Sequence, residues 1–542
     1  MFASVLQIHS DDNVAVALKP LEVGTEFLSG IYCKSAIPQR HKVVTKFIPK
    51  DSPVVMYGVT VGRSLRDLQT GDRLNRNDLI HDTSPYRLRD QRTLPPWKAP
   101  DTSTWLNATF AGYHRSDGQV GTANHWIVVP MVFCENRNLD VLRRAFEDEL
   151  GYSHHCVYRQ QVASLVSTHL EGHSEVVTEI STLKSERIFK NIDGIQFLTH
   201  QLGCGGTRED AKSLCGLLAG YLNHPNVFGA TILSLGCENA EISLLMDELH
   251  QRNPNFDKPL YLFRQQSFPS ADRLITQAIN DTFSGLKEGN QSQRTPAPLS
   301  KLTIGLECGG SDGFSGISAN PVIGYATDLI VAVGGGAILG EFPELCGQEQ
   351  ALIDRCVENR SAARFVDLME SYASLAHAVN SGFEMNPSPG NIADGLLTGA
   401  MKSAGAARKG GTSPVTDVLD YPEYATSQGL NLLCTPGGDV ESTTAIAGSG
   451  AQIILFSTGM GTPTGNPVAQ VIKISSNSSL AERLPDLIDF NAGVIIEGDE
   501  TIESSGTQLF DLIIQVASGN YTPASVRMGQ NDFIPWKRGL SL

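Results

Sequence analysis

The 542-residue chain has no apolar run near the roughly 20 residues that a membrane-spanning helix requires. Residues Met1 to Ser10 lack a basic start followed by a long apolar stretch, so a secretory leader is not expected either. No long Lys/Arg block interrupts a formal net charge of −16, which argues against nucleic acid and other polyanions as partners. That balance does not exclude a small anionic substrate, because a cleft can be locally positive. The ten cysteines are widely spread, without the dense spacing of a disulfide-stapled secreted domain, so reduced thiols in a cytosol are the expectation. What is present is a globular balance of 41% hydrophobic and 18% charged residues. At this length it predicts two or three domains rather than one core.

The pattern changes along the chain. SVLQIH, NVAVAL, TEFL, HKVVTKFI and PVVMYGVTVG are short, β-branched runs that predict a small all-β domain, taken here as residues 1–85. A polar stretch with Pro85, Pro95, Pro96 and Pro100 marks a linker, 86–104. From Trp105 strand-like and helical runs alternate, the signature of α/β architecture. A strand is predicted at 126–133, helices at 138–150 and in REDAKSLCGLLAGYLN, and a strand at 231–236 before AEISLLMDELHQR. An Asn/Gln/Ser/Pro-rich stretch at 284–300 separates an α/β region at 105–290 from a second at 291–542. The latter is predicted to hold long helices around 347–380 and strands at 430–433, 451–457, 469–474 and 493–497.

Four apolar runs end in cysteine, at Cys134, Cys237, Cys308 and Cys434, and IQFLTHQLGC places His200 and Cys204 after a fifth. Ligands of open α/β sheets gather beyond the carboxyl ends of the strands. A small buried hydrophobe is the plain alternative for each thiol; Cys215, on an apolar helix face, is the clearest such case, and Cys33, Cys156, Cys346 and Cys356 carry no local signal. Thiolate and imidazole suit ferrous iron or zinc, and His200, Cys204, Cys237 and Cys308 are the candidate metal ligands. Glu238, Glu307 and Cys434 stand beside them as supporting groups. ECGGSDGFSGISANP is a polar loop bearing Asp312, with neither the dinucleotide-binding nor the P-loop spacing. MKSAGAARKGG offers Lys402, Arg408 and Lys409 as a cationic loop for a carboxylate, and Thr443 and Thr458 sit in hydroxyl-rich segments suited to a polyhydroxylated ligand. Asn124 and His125 precede a strand whose far end carries Cys134, so a structural role is expected of them.

These motifs also occur in a family-like order. HSDDNVAVAL, IPQRHKVVTKF and YGVTVG are followed by GYHRSDGQVGTANH, HQLGCG, LAGYLNHPNV, LSLGCE and GLECGGSDGFSGISANP, then EFPELCG, NPSPGN, MKSAGAARKGGTSPV, TGMGTPTGNP and DFNAG. Over essentially the whole length the chain resembles the altronate and galactarate dehydratases. The resemblance implies an α/β protein with an N-terminal β-clip (SAF-like) domain followed by two α/β regions. It implies a cytoplasmic hydro-lyase of hexuronate breakdown that forms a 2-keto-3-deoxy sugar acid with a divalent metal. Fe(II) is the expected ion, Mn(II) the alternative, and an iron–sulfur cluster is less favoured because no compact ferredoxin-type motif is present. D-altronate is the expected substrate and 2-keto-3-deoxy-D-gluconate the product. Galactarate is the alternative acid, a noncatalytic sugar-acid sensor the alternative of another class, and a homo-oligomer is compatible. His9 and His41, if the small domain closes over the cleft, are candidate general bases, with Asp312 as the third. Three positions depart from the family pattern: Ala123 and Met460 stand where arginines are common, and Cys434 where aspartate is expected.

Overall fold

The computed structural model describes residues 4–89, 93–153, 156–171 and 187–539, and the Cys156 side chain lies outside that set. The β-branched runs near the N-terminus form small antiparallel sheets. Val14–Ala17 lies between Val5–Leu6 and Lys42–Val44, and Val59–Ser64 lies between Pro53–Met56 and Leu79–Ile80. Val5, Ala15, Ala17, Leu21, Phe27, Ile37 and Val43 form a small core of the domain's own, and a second core is shared. Val14, Val16, Val44, Val54 and Val61 pack with Phe314, Ile317, Leu397 and Met401 from the C-terminal region. Polar pins accompany the packing: Lys42 Nζ donates to Gly395 O at 2.6 Å, and Thr398 Oγ1 donates to Val61 O at 2.5 Å. The predicted linker runs along the same neighbour, with Arg87 N on Gln350 Oε1 at 2.8 Å and Trp105 Nε1 on Asp511 Oδ1 at 2.9 Å.

The middle region is a four-stranded parallel sheet in the order Gly194–Phe197, His125–Pro130, Val227–Ser234, Leu260–Arg264. Helices Asn136–Leu150, Arg208–Asn223, Ile242–Arg252 and Ala271–Gly289 surround it. Beside it Thr109–His114 pairs with Val120–Gly121 and with Thr295–Pro298.

The C-terminal region is built on a seven-stranded, all-parallel sheet ordered Val415–Leu419, Gly429–Leu433, Gly336–Leu339, Thr303–Cys308, Ile453–Thr458, Gln470–Ser475, Phe490–Asn491. Its inner strands are buried on both faces, as parallel sheets are. Ile453 and Leu455 point into a core with Ala319–Ala332 and Ile502–Ala517, while Ile454 and Phe456 point into one that contains Leu217 and Tyr221 of the middle region. The two α/β regions therefore share a core, and Gly220 is packed so closely that a Cβ there would collide with the Gly448 carbonyl.

Two local expectations are corrected. The run at 493–497 is a helical turn, Val494–Glu497, ended by Gly498 in the left-handed region at φ 79°, and the strand is the shorter Phe490–Asn491 before it. The cationic segment is not a loop: Thr398 caps a helix at Gly399–Ala406 by accepting from Met401 N, and a 3-10 turn, Ala407–Gly410, follows. Its alanines favour helix over the turn that the glycines suggested.

Candidate active site

The strand Thr303–Cys308 starts the C-terminal sheet at its centre. The chain then builds outward on one side and returns to lay Ile453–Thr458 on the other. Such a reversal opens a crevice at the carboxyl ends of the strands, and the charged groups of the region converge there. Cys308 ends the central strand. Glu341 and Glu344 follow Gly336–Leu339, Asp439 follows Gly429–Leu433, and Lys473 projects from Gln470–Ser475.

Cys308 Sγ, Glu341 and Glu344 are buried and offer ligand atoms within 4.8 Å of one another, the one such triad among the described residues. Lys409 Nζ binds Cys308 Sγ and Glu341 Oε2, each at 2.8 Å, and Lys402 Nζ binds Glu344 Oε1 at 2.6 Å and Asn386 Oδ1 at 2.8 Å. Burial and the neighbouring glutamates push the Cys308 thiol well above its usual range. Burial and Glu341 raise the Glu307 carboxyl likewise; its Oε2 accepts from Ser442 Oγ at 2.6 Å, while Oε1 has no partner. Glu341 Oε1 is a second orphaned acceptor. Glu341 also sits at φ 62°, unusual for a residue with a side chain and a mark of functional strain. Asp439, whose carboxylate would be struck by a Cβ at Gly309, is raised to about 7 by burial and the two glutamates. Lys473 Nζ lies 3.6 Å from the Phe456 ring centre with no hydrogen-bond partner, and burial lowers it to about 7. Lys402, Asn386 and Asp439 are half-buried and form the solvent side of the cluster, with exposed Met460 packed against Gly310 and Gly390.

The structure distributes the sequence candidates differently. Cys308 meets Glu341 and Glu344 rather than His200, Cys204 and Cys237. His200 is buried with Nε2 on Pro130 O at 2.8 Å and Nδ1 accepting from Leu202 N at 3.1 Å, so backbone groups occupy both ring nitrogens. Cys204 and Cys237 are exposed on the middle region. Glu238 accepts from Ser234 Oγ, Gly236 N and Cys237 N, holding that loop. His9 is exposed and caps Asp11 N; His41 Nε2 reaches Ala393 O at 3.0 Å. Asp312 accepts from Phe314 N, Ser315 N, Ser476 Oγ and Asn477 Nδ2 and faces Arg40 Nε at 3.3 Å, a carboxylate engaged in holding the loop and docking the first domain. Arg408 stacks over Tyr57. Thr443 bonds back to Asp439 O, and Thr458 Oγ1 accepts from Gly461 N. Cys434 is buried 3.9 Å from Arg538. Ala123 is buried at the amino end of its strand, where Arg115 takes its carbonyl, so no cation is missing from the carboxyl-end cluster on its account.

Glu341, Glu344 and Lys473 had not been singled out. The signals were a Glu-x-x-Glu immediately after an apolar strand, and one lysine between the isoleucines of the buried strand QVIKIS.

Comparison with known proteins fits this architecture piece by piece. Residues 3–81 match the Altronate/galactarate dehydratase SAF domain, residues 112–290 the D-galactarate dehydratase/Altronate hydrolase second domain, and residues 299–541 the D-galactarate/Altronate dehydratase C-terminal domain. The chain belongs to the altronate/galactarate dehydratase family. It is 33% identical to the altronate dehydratase of Bacillus subtilis over 98% of this chain and 97% of that one. It is 31% identical to the altronate dehydratase of Escherichia coli over 99% of each. It is 30% identical to the L-threo-forming galactarate dehydratase of Escherichia coli over 97% of this chain and 95% of that one. As a member of this family it is a hydro-lyase acting on sugar acids. No helix among the described residues is long and apolar enough to cross a membrane.

Proposed function

We propose that this enzyme dehydrates D-altronate to 2-keto-3-deoxy-D-gluconate and water in the cytoplasm. The observation that carries the reading is the near-complete alignment with two altronate dehydratases. Galactarate is the second reading, favoured by the 30% identity to a galactarate dehydratase.

A β-elimination needs a base for the C2 proton, an acid for the departing 3-hydroxyl and positive charge near the carboxylate. Lys473, unpartnered and held near 7, is suited to take the proton. Asp439, raised to about 7 on the open side of the cluster, is suited to protonate the leaving hydroxyl. Lys402, half-buried at the mouth, is suited to meet the acid's carboxylate. The buried Lys409 serves the cluster itself by neutralising Glu341 and donating to the Cys308 sulfur.

The donor set fits a divalent ion: one sulfur and two carboxylates lie close together, and the orphaned oxygens of Glu341 and Glu307 want a cationic partner. Cys308, Glu341 and Glu344 would hold it. When bound, Fe(II) or Mn(II) supplies Lewis-acid polarisation of a substrate oxygen.

The test is an anaerobic panel of D-altronate, galactarate and D-mannonate with ferrous iron, read as 2-keto acid formed. D-altronate should give the highest kcat/KM. Preference for galactarate would overturn the assignment in favour of the second reading, and no turnover of any acid would overturn both.

A further inference from the structure

Cys134, Cys204 and Cys237 play no part in the cluster around Cys308, yet all three are exposed. They follow three adjacent strands of the middle sheet: His125–Pro130, Gly194–Phe197 and Val227–Ser234. These strands are mutually parallel, so the three loops leave the sheet on one edge. Backbone hydrogen bonds tie them together there. Phe133 N donates to Leu202 O at 3.0 Å, and Asn239 N donates to Gly203 O at 2.8 Å. No cysteine of the three is more than two residues from one of these bonds.

The loops are built for close approach. Gly203 has φ 100°, and a Cβ on it would collide with the Met131 carbonyl; Gly236, beside Cys237, has φ 103°. Glu238 clamps the Gly236 and Cys237 amides at 2.7 and 3.0 Å. Cys215, by contrast, is buried in the apolar core with Sγ directed at Glu241 O. Cys204 also lines a cavity of about 740 Å³ that is closed on its other side by Glu441, Phe533 and Lys537 of the C-terminal region. Thiols left exposed on three linked loops lack the packing that explains an ordinary buried cysteine.

We propose that Cys134, Cys204 and Cys237 together ligate an iron–sulfur cluster of the 4Fe–4S class, a site separate from the Cys308 triad. As they stand, the three thiols do not form a single-ion site. The three sulfurs do not fall within 4.8 Å of one another, whereas thiolates around a single tetrahedral ion must be nearly in contact. A cluster places its cysteine ligands on separate irons, further apart. Assembly draws two ferrous ions, two ferric ions and four inorganic sulfides from solution, so no electron has to be removed, and each bond from a protein sulfur to iron forms as a thiol releases its proton to solvent. Three cysteines leave one iron corner for a ligand other than cysteine. On this reading the sequence has no compact ferredoxin-like motif because the ligands are collected from three strand ends instead of one loop.

The test is anaerobic reconstitution of the full chain with ferrous iron, ferric iron and sulfide, followed by desalting. The readouts are bound iron and acid-labile sulfide in equal amounts, visible absorption, and the Mössbauer spectrum. Wild type and Cys33→Ser should carry the cluster. Cys204→Ser and Cys237→Ser, at exposed positions with the native circular dichroism retained, should lose at least four-fifths of the labile sulfide. Iron without sulfide, or sulfide retained in both serine variants, would overturn the proposal. Because none of these readouts is turnover, the outcome is independent of which sugar acid the enzyme dehydrates.

Discussion

Replacing Lys409 by methionine separates charge from volume at the centre of the C-terminal site. Methionine keeps most of the aliphatic stem and removes the ammonium, which is the donor at 2.8 Å to both Cys308 Sγ and Glu341 Oε2. The side chains of Lys409 and Glu341 are each only 1% exposed, so water cannot substitute. Breaking a buried pair by deleting one partner leaves an uncompensated charge and costs about 3–5 kcal/mol, which is roughly two to three and a half decades in the folding equilibrium. The expected result in urea denaturation is a lower midpoint with little change in slope. Glu341→Gln in the same background removes the stranded charge while keeping the shape, and should restore at least about 1 kcal/mol, whereas Glu341→Gln alone should destabilise. A Lys409→Met protein within about 1 kcal/mol of wild type, or a double variant weaker than Lys409→Met, would refute the claim that this ammonium neutralises the cluster.

Lys473→Met should reduce kcat by about 10²–10⁴-fold, the range for a lost proton-transfer group, and wild-type kcat should fall as pH drops below about 7, where burial leaves the amine half protonated; a flat pH profile and an active variant would remove Lys473 from the chemistry. Burial lowers His125 to about 4 and His224 to about 3. The unfolded chain therefore takes up protons near 6.5 while the folded one does not, so stability is held above pH 6.5 and lost as pH falls toward 4 and then 3. Each contributes about 1.4 kcal/mol of loss by pH 5.5, and His224→Gln should remove one such share from the difference in urea midpoint between pH 7.5 and 5.5. Gly220→Val should destabilise the contact between the two α/β regions by about 1–3 kcal/mol, seen as faster proteolysis between them. Lys42→Met strands the Gly395 and Arg40 carbonyls, at about 1–3 kcal/mol for each unsatisfied group, and should release the N-terminal domain first in limited proteolysis.

Periodicity made much of the fold legible. The β-branched runs before residue 65, the alternation after Trp105 and the apolar strands ending in cysteine all reflect local physics: side chains alternate in strands and repeat every three to four residues in helices. What periodicity does not carry is which loops meet. His200 and Cys204 have usable ligand spacing, but the Pro130 carbonyl and the Leu202 amide occupy both ring nitrogens, and a one-dimensional reading has no means of seeing them. Asp312 looked free in a glycine-rich loop because, beside its local donors at 314 and 315, two more come from residues 476 and 477, about 160 positions away. Glu341 and Glu344 drew no notice because their partners are about 60 positions away: Lys402 lies on a helix that the glycine content disguised as a loop, and Lys409 on the 3-10 turn that follows it.

The two α/β regions place their chemistry by the same rule with opposite electrostatics. Both gather groups at the carboxyl edge of a parallel sheet, where loops leave the strands side by side. In the C-terminal region those groups are buried and cross-neutralised, two lysines against a thiol and glutamates, so the site needs its charges in balance before a substrate arrives. In the middle region the thiols are exposed and their loops are stiffened by backbone bonds and Glu238. The segment between Thr435 and Glu441 belongs to both settings: Thr435 Oγ1 accepts from Glu341 N at 2.6 Å, Asp439 lies against Gly309, and Glu441 lines the cavity of Cys204. A displacement of this one segment changes the surroundings of both sites together, and the helix that starts at Asp439 is held at its far end, where Gly448 packs against Gly220 of the middle region with no space for a Cβ.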